Sequence, residues 1–173
     1  MASTTQDAEV LSDRPPLYFD EADSLRAHRA WKANCGPHAL AAACALTLDE
    51  VREKLLKFPG WMNPTMIGHA LESIGIQYRL TTRLRTRYLC DGISRIQWEG
   101  PWLSSFKESY RHTHWVAHRR GWVLCSAVDS SQWIPCEHWR KSLEQPWHVT
   151  HHYEFREVLR TVPVPGQQLL PLL

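Results

Sequence analysis

The chain has 173 residues, 43% hydrophobic and 22% charged, a globular composition long enough to bury a core without disulfide staples. Twenty Lys and Arg against eighteen Asp and Glu leave a formal charge of +2, too balanced for a chain that coats nucleic acid or a membrane surface. No apolar run approaches the ~20 residues of a membrane span, the first residues lack the layout of a signal peptide, and five cysteines without C-x-x-C spacing argue against a disulfide framework or zinc ribbon.

In chain order, residues 1–16 carry Ser, Thr, Asp and the Pro15-Pro16 pair and read as a flexible leader, with a single domain expected over 17–161. Asn34 is a good N-cap, Pro37 is tolerated in a first turn, and the Ala-rich run from Ala39 to Leu46 has strong helix propensity. Thr47-Leu48-Asp49-Glu50 fits a capping box; Val51, Leu55 and Leu56 supply an apolar stripe, and Phe58-Pro59-Gly60 is the expected stop. Asn63-Pro64 opens a third helix with Ile67, Leu71 and Ile74 on one face and Gly75 at its end.

The period then changes. Ile76, Tyr78 and Leu80 alternate with polar residues, as do Ser94, Ile96 and Trp98. Thr113 to His118 and Trp122 to Val128 read as two strands of a hairpin turning at Arg119-Arg120-Gly121, and a further strand is expected from Tyr153 to Val158. Helices followed by antiparallel strands predict an α+β fold. In residues 162–173 the recurring prolines forbid regular structure, and the terminal leucines are expected to dock on the domain or on a second copy, giving an oligomer.

Cys35 falls in the first turn of the best-marked helix. There the helix dipole and unpaired N–H groups favour the thiolate, which is the nucleophilic form, and the same N–H groups would form half an oxyanion hole. Gly36 removes a side chain beside the sulfur and would let a substrate backbone approach. Position alone favours a small buried hydrophobe. The second half shifts that balance: His114 lies on one strand and Asp129 at the end of the next, so Asp129 would accept the His114 ring N–H while His114 takes the Cys35 proton.

Asn34-Cys35-Gly36-Pro37-His38-Ala39-Leu40, followed by His114-Trp115-Val116 and then Asp129, resembles the papain-like cysteine peptidases, and most closely the bacteriocin-leader-processing (double-glycine) type. The resemblance spans roughly residues 31–130. It implies a papain-like α+β domain with the Cys-bearing helix packed on an antiparallel sheet. It also implies hydrolysis of a peptide, isopeptide or side-chain amide bond by a Cys35-His114-Asp129 triad without a cofactor. Deamidation or transfer would use the same residues. Members of that family usually carry a Gln six residues before the Cys, as an oxyanion donor. Here that position is Arg29, and the candidates to complete the hole are Asn34, the Cys35 N–H, Arg29 and Gln97. The departure supports an alternative, an inactive papain-like scaffold that binds a protein as an effector or inhibitor.

Nine tryptophans are more than packing alone usually demands, and Trp31, Trp98, Trp102 and Trp115 are candidates, with Gly36, to line a cleft for an extended peptide or protein tail. For any single one, core packing is the simpler role. His38 reads as a polar residue beside the cleft, and His118 as a solvated edge position or a support for His114. Cys125, Cys136 and His138 match no zinc spacing, and no metal is expected. Arg79, Arg83, Arg85 and Arg87 read as a solvated strand face, so no nucleic-acid partner is expected. A peptide or protein partner, no membrane and a cytoplasmic location complete the expectation. Small stand-alone size suits a phage or bacterial protein.

Overall fold

The computed structural model describes residues 13–55, 57–84, 90–98, 113–143 and 146–157. Trp102, Arg85, Arg87 and the Pro/Leu-rich tail at 162–173 lie outside the described residues. Within them the fold is α+β, with five helices and a six-stranded antiparallel sheet. The helices are α1 (Glu21–Trp31), α2 (Cys35–Cys44), α3 (Leu48–Lys54), α4 (Pro64–Ile74) and α5 (Cys136–Ser142). The strands are β1 (Gln77–Leu84), β2 (Gly92–Trp98), β3 (Thr113–Arg119), β4 (Trp122–Cys125), β5 (Asp129–Pro135) and β6 (Trp147–Glu157). Their order in the sheet is β1-β6-β2-β3-β4-β5, so the last strand inserts between the first two.

Local chemistry sets the helix ends. Asn34 caps α2 by accepting the Gly36 N–H at 3.3 Å. The box at α3 is complete: Thr47 Oγ1 accepts the Glu50 N–H at 3.2 Å, and Glu50 accepts the Thr47 N–H at 2.8 Å. Asn63 caps α4 through the Met66 N–H at 2.9 Å, and Gly75, at φ +84°, ends it. α3 stops at Lys54, before the Phe58-Pro59-Gly60 signal.

Three elements were not expected. α1 opens with a reciprocal box between Asp20 and Asp23, whose carboxylates stand in for the usual Ser/Thr and Glu. The second arm of the hairpin ends at Cys125, not Val128, because a turn over 126–128 starts β5. That strand runs into α5 with Pro135 as the N-cap residue.

The sheet has two covered faces. On one, α1 to α4 pack Leu40, Val51, Ile67 and Leu71 against Ile93, Trp115, Leu124 and Tyr153. α2 is buried from Gly36 to Cys44, and its run of alanines lets the helix lie close on β3. On the other face, Trp139 of α5 seals Ile96, Val116, Val123 and Val149. β3 alternates between the faces: Trp115 and Ala117 point to the helical layer, Val116 to α5.

Candidate active site

The N-terminus of α2 meets the sheet where β3 and β4 part. Their ladder runs from Arg119↔Trp122 to Ala117↔Leu124 and stops. Two residues further on, Trp115 remains paired with Arg95 of β2, and its backbone N–H helps to lower the Cys35 thiol on the side that β4 leaves open. A cavity of about 420 Å³ opens at this gap. Cys35, Asn34 and His38 of the α2 end line it, with His114 of β3, Ser126 and Ala127 of the turn, Ser130 of β5, and Glu21, Ser24, Leu25 and His28 of α1.

Cys35 is half-buried. Burial pushes its thiol up, and the N–H groups of Trp115, Gly36 and Cys35 itself only partly offset that. The thiolate expected from the helix terminus is therefore not the favoured resting form: desolvation outweighs the dipole. His114 is 9% exposed, and its Nε2 has no hydrogen-bond partner among the described residues. Burial, and then the neighbouring His38, push its imidazole down to about 4. Both groups are thus neutral near pH 7.

Asp129 is not among the residues lining this cavity. It starts β5 instead of closing β4, and its carboxylate accepts the Ser131 N–H and Oγ–H, both at 2.8 Å, and Gln132 Nε2. Burial pushes this carboxyl up, but those hydrogen bonds outweigh it and hold the group below the ordinary carboxylate range. The group packed on His114 is instead the Trp98 ring, 5.6 Å between centroids and tilted by 55°.

The other expected residues divide. Asn34 is committed on both sides of its amide, accepting from Gly36 and donating to Gly60 O at 2.5 Å, which ties the 57–63 loop to the α2 cap. Gln97 is paired across the sheet with Thr113 and His148 and does not line the cavity. Arg29 is exposed on α1 and also lies outside it. A Cβ on Gly36 would fall 2.7 Å from Met62 Sδ, so the Met62 side chain would have to shift to admit one. Trp115 is buried at 3% exposure and donates Nε1–H to Met62 O at 3.0 Å; Trp31 packs edge-on to Phe58, 5.5 Å away. Both serve the core.

His38, expected beside the cleft, does line it. It is buried in the cavity wall, one turn along α2 from Cys35. His118, expected at a solvated edge, is 4% exposed, edge-on to Trp139 at 5.9 Å and to His152 at 6.1 Å. No group of three or more His, Cys, Asp or Glu among the described residues is placed to hold a metal ion. Arg79 is paired with Glu154 across β1 and β6. No helix among the described residues is long and apolar enough to cross a membrane.

Comparison of the chain with protein-family models, with curated proteins and with solved structures finds no match in any of the three. A functional reading therefore rests on the motif and on the cavity.

Proposed function

We propose that the chain is a papain-like cysteine hydrolase acting on a peptide, isopeptide or side-chain amide bond. The observation that supports this is the convergence of Cys35 and His114, far apart in sequence, on one cavity at the N-terminus of α2. In this reading the resting pair is neutral thiol and neutral imidazole. As Cys35 Sγ attacks the carbonyl carbon, His114 takes the thiol proton, so charge separates only in the transition state. Backbone N–H groups at the α2 end face the developing oxyanion. Collapse breaks the C–N bond, and the leaving amine takes the proton from His114. Water, deprotonated by His114, then cleaves the thioester, releasing the carboxylate and restoring the thiol.

The test uses p-nitrophenyl acetate, with the acylated site read by mass spectrometry. Acetylation concentrates on Cys35, vanishes in Cys35→Ala, and slows by about 10²- to 10⁴-fold in His114→Ala. The exposed Cys90, whose thiol is pushed up by partial burial and the neighbouring Glu154, is the internal reference for an unactivated thiol. If Cys90 reacts as fast as Cys35 and His114→Ala changes nothing, the hydrolase reading is wrong.

A second reading, an inactive papain-like scaffold that binds a protein, draws support from the same site. One Asn34 amide N–H is given to Gly60, Asp129 is engaged by its own turn, and the thiol is held protonated. It predicts no Cys35 acylation above the Cys90 reference.

A further inference from the structure

His38 is 5% exposed and lines the cavity with Cys35. Its Nδ1 lies 2.7 Å from Asn34 O. A carbonyl oxygen can only accept, so Nδ1 carries the hydrogen and Nε2 carries a lone pair. That Nε2 is buried and has no partner among the described residues. The ring is held in place by the helix cap on one side and by the edge-on ring of Phe19, 5.4 Å away, on the other. His118 and His152 have unpartnered Nε2 atoms among the described residues too, but His38 differs from them in lining a cavity that also holds a thiol. His114, on β3, lines the same cavity, and its Nε2 likewise has no partner among the described residues.

We infer that His38 is a second acid–base group of the Cys35 cavity, and that His38 and His114 hold at most one proton between them. The second half follows from their neighbourhood. Two imidazolium ions lining one small cavity repel each other, so protonating either disfavours protonating the other. The other titratable groups around them are Glu21 and His28 on α1, Cys35 on α2 itself and Cys125 on β4; of these, Glu21, His28 and Cys35 line the cavity. Burial lowers the His38 proton affinity, the bond to Asn34 O raises it, and His28 lowers it again. His38 thus stays neutral near pH 7, with Nε2 ready to accept. During turnover, a role that rests on the hydrolase reading, the proton leaving Cys35 has two acceptors in reach of the cavity. His114 serves the attack and protonates the leaving amine, and His38 assists it as a second acceptor when water gives up its proton to cleave the thioester, that proton returning to the Cys35 sulfur.

Histidine side-chain ¹⁵N–¹H spectra of the full chain test this without any substrate. His38 shows the Nδ1–H tautomer at neutral pH, and His114→Gln moves its protonation midpoint to higher pH; His38→Gln does the same to His114. An Nε2–H tautomer in the wild type, a reading that needs no variant to fold, overturns the inference, as does a His38 midpoint that ignores His114→Gln. The acylation assay separates the two claims. Coupled midpoints without Cys35 acylation sink the hydrolase reading and leave the shared proton standing. Hydrolysis of the acetyl-Cys35 thioester that proceeds at an unchanged rate and pH profile in His38→Gln sinks the acid–base role of His38 and leaves the Cys35–His114 reading standing. The expected result is a loss of about tenfold or more with a profile reduced to the His114 midpoint.

Discussion

β3 carries a buried histidine near each end, His114 and His118, on the same side of the strand with Val116 between them. Each has a bare Nε2 among the described residues, and each has a second histidine nearby, His38 for His114 and His152 for His118. The two ends are nevertheless different in kind. At the His118 end, Ser94 Oγ and His152 Nδ1 are 2.8 Å apart and Trp139, fully buried, closes the cluster against α5. At the His114 end the β3–β4 ladder has stopped, and the imidazole lines a cavity beside a thiol. Burial lowers both imidazoles, to about 4 at His114 and about 3 at His118, so the perturbation alone does not mark a site. Access and a nucleophile do.

The largest way to break this contrast is to open the sealed end. Trp139→Ala removes the largest of the fully buried side chains of the α5-side core and is expected to cost about 3–5 kcal/mol, read as a lower urea midpoint. In the fraction that remains folded, His118 gains solvent and its protonation midpoint rises, while Cys35 acylation keeps its wild-type rate. A Trp139→Ala chain that loses acylation while still folded would show that the two ends are one unit.

Next is the acid limb of stability. His118 and His114 have folded values below the ordinary 6.5, so between those values the unfolded chain binds more protons. Stability is intact above pH ~6.5 and falls as pH drops through that value, by up to about 1.4 kcal/mol per pH unit for each group. His118→Leu should remove one such contribution and flatten the dependence of the urea midpoint between pH ~6.5 and ~4 by that amount, leaving the His114 share in place.

The smallest effect sharpens the cavity end. Gly36→Ala sets a methyl group against Met62, expected to cost about 1–3 kcal/mol and to displace the α2 cap, and Met62→Ala in the same chain should recover most of it. If Gly36→Ala is neutral for stability but slows acylation, the glycine serves an incoming substrate and the packing account given above is wrong.

Much of the helical half was legible because its signals are local. Asn34, Thr47 and Asn63 each act on an N–H two or three residues away, and Gly75 ends α4 through its own backbone freedom. α1 was missed although its Asp20–Asp23 box has the same logic, because an Asp in the fourth position is a weaker sequence mark than Glu. The strand periods placed β1, β2 and the turn of the β3–β4 hairpin. They did not place β5 or α5, since Asp129 to Pro135 has a mixed pattern and α5 has no side-chain cap.

By itself, then, the sequence determined the α+β class, the caps of α2, α3 and α4 and the position of Cys35 at a helix N-terminus, all of which depend on residues within a few positions of one another. Only the tertiary structure decided which groups share the cavity. His38 and His28 enter it from two helices, Asn34 lines it while giving one amide N–H to Gly60, and Asp129 turns toward Ser131 because β4 ends at Cys125. It also decided the protonation of the site. A helix terminus favours a thiolate, but how far burial opposes it depends on the layers packed around α2, and no spacing of residues records that.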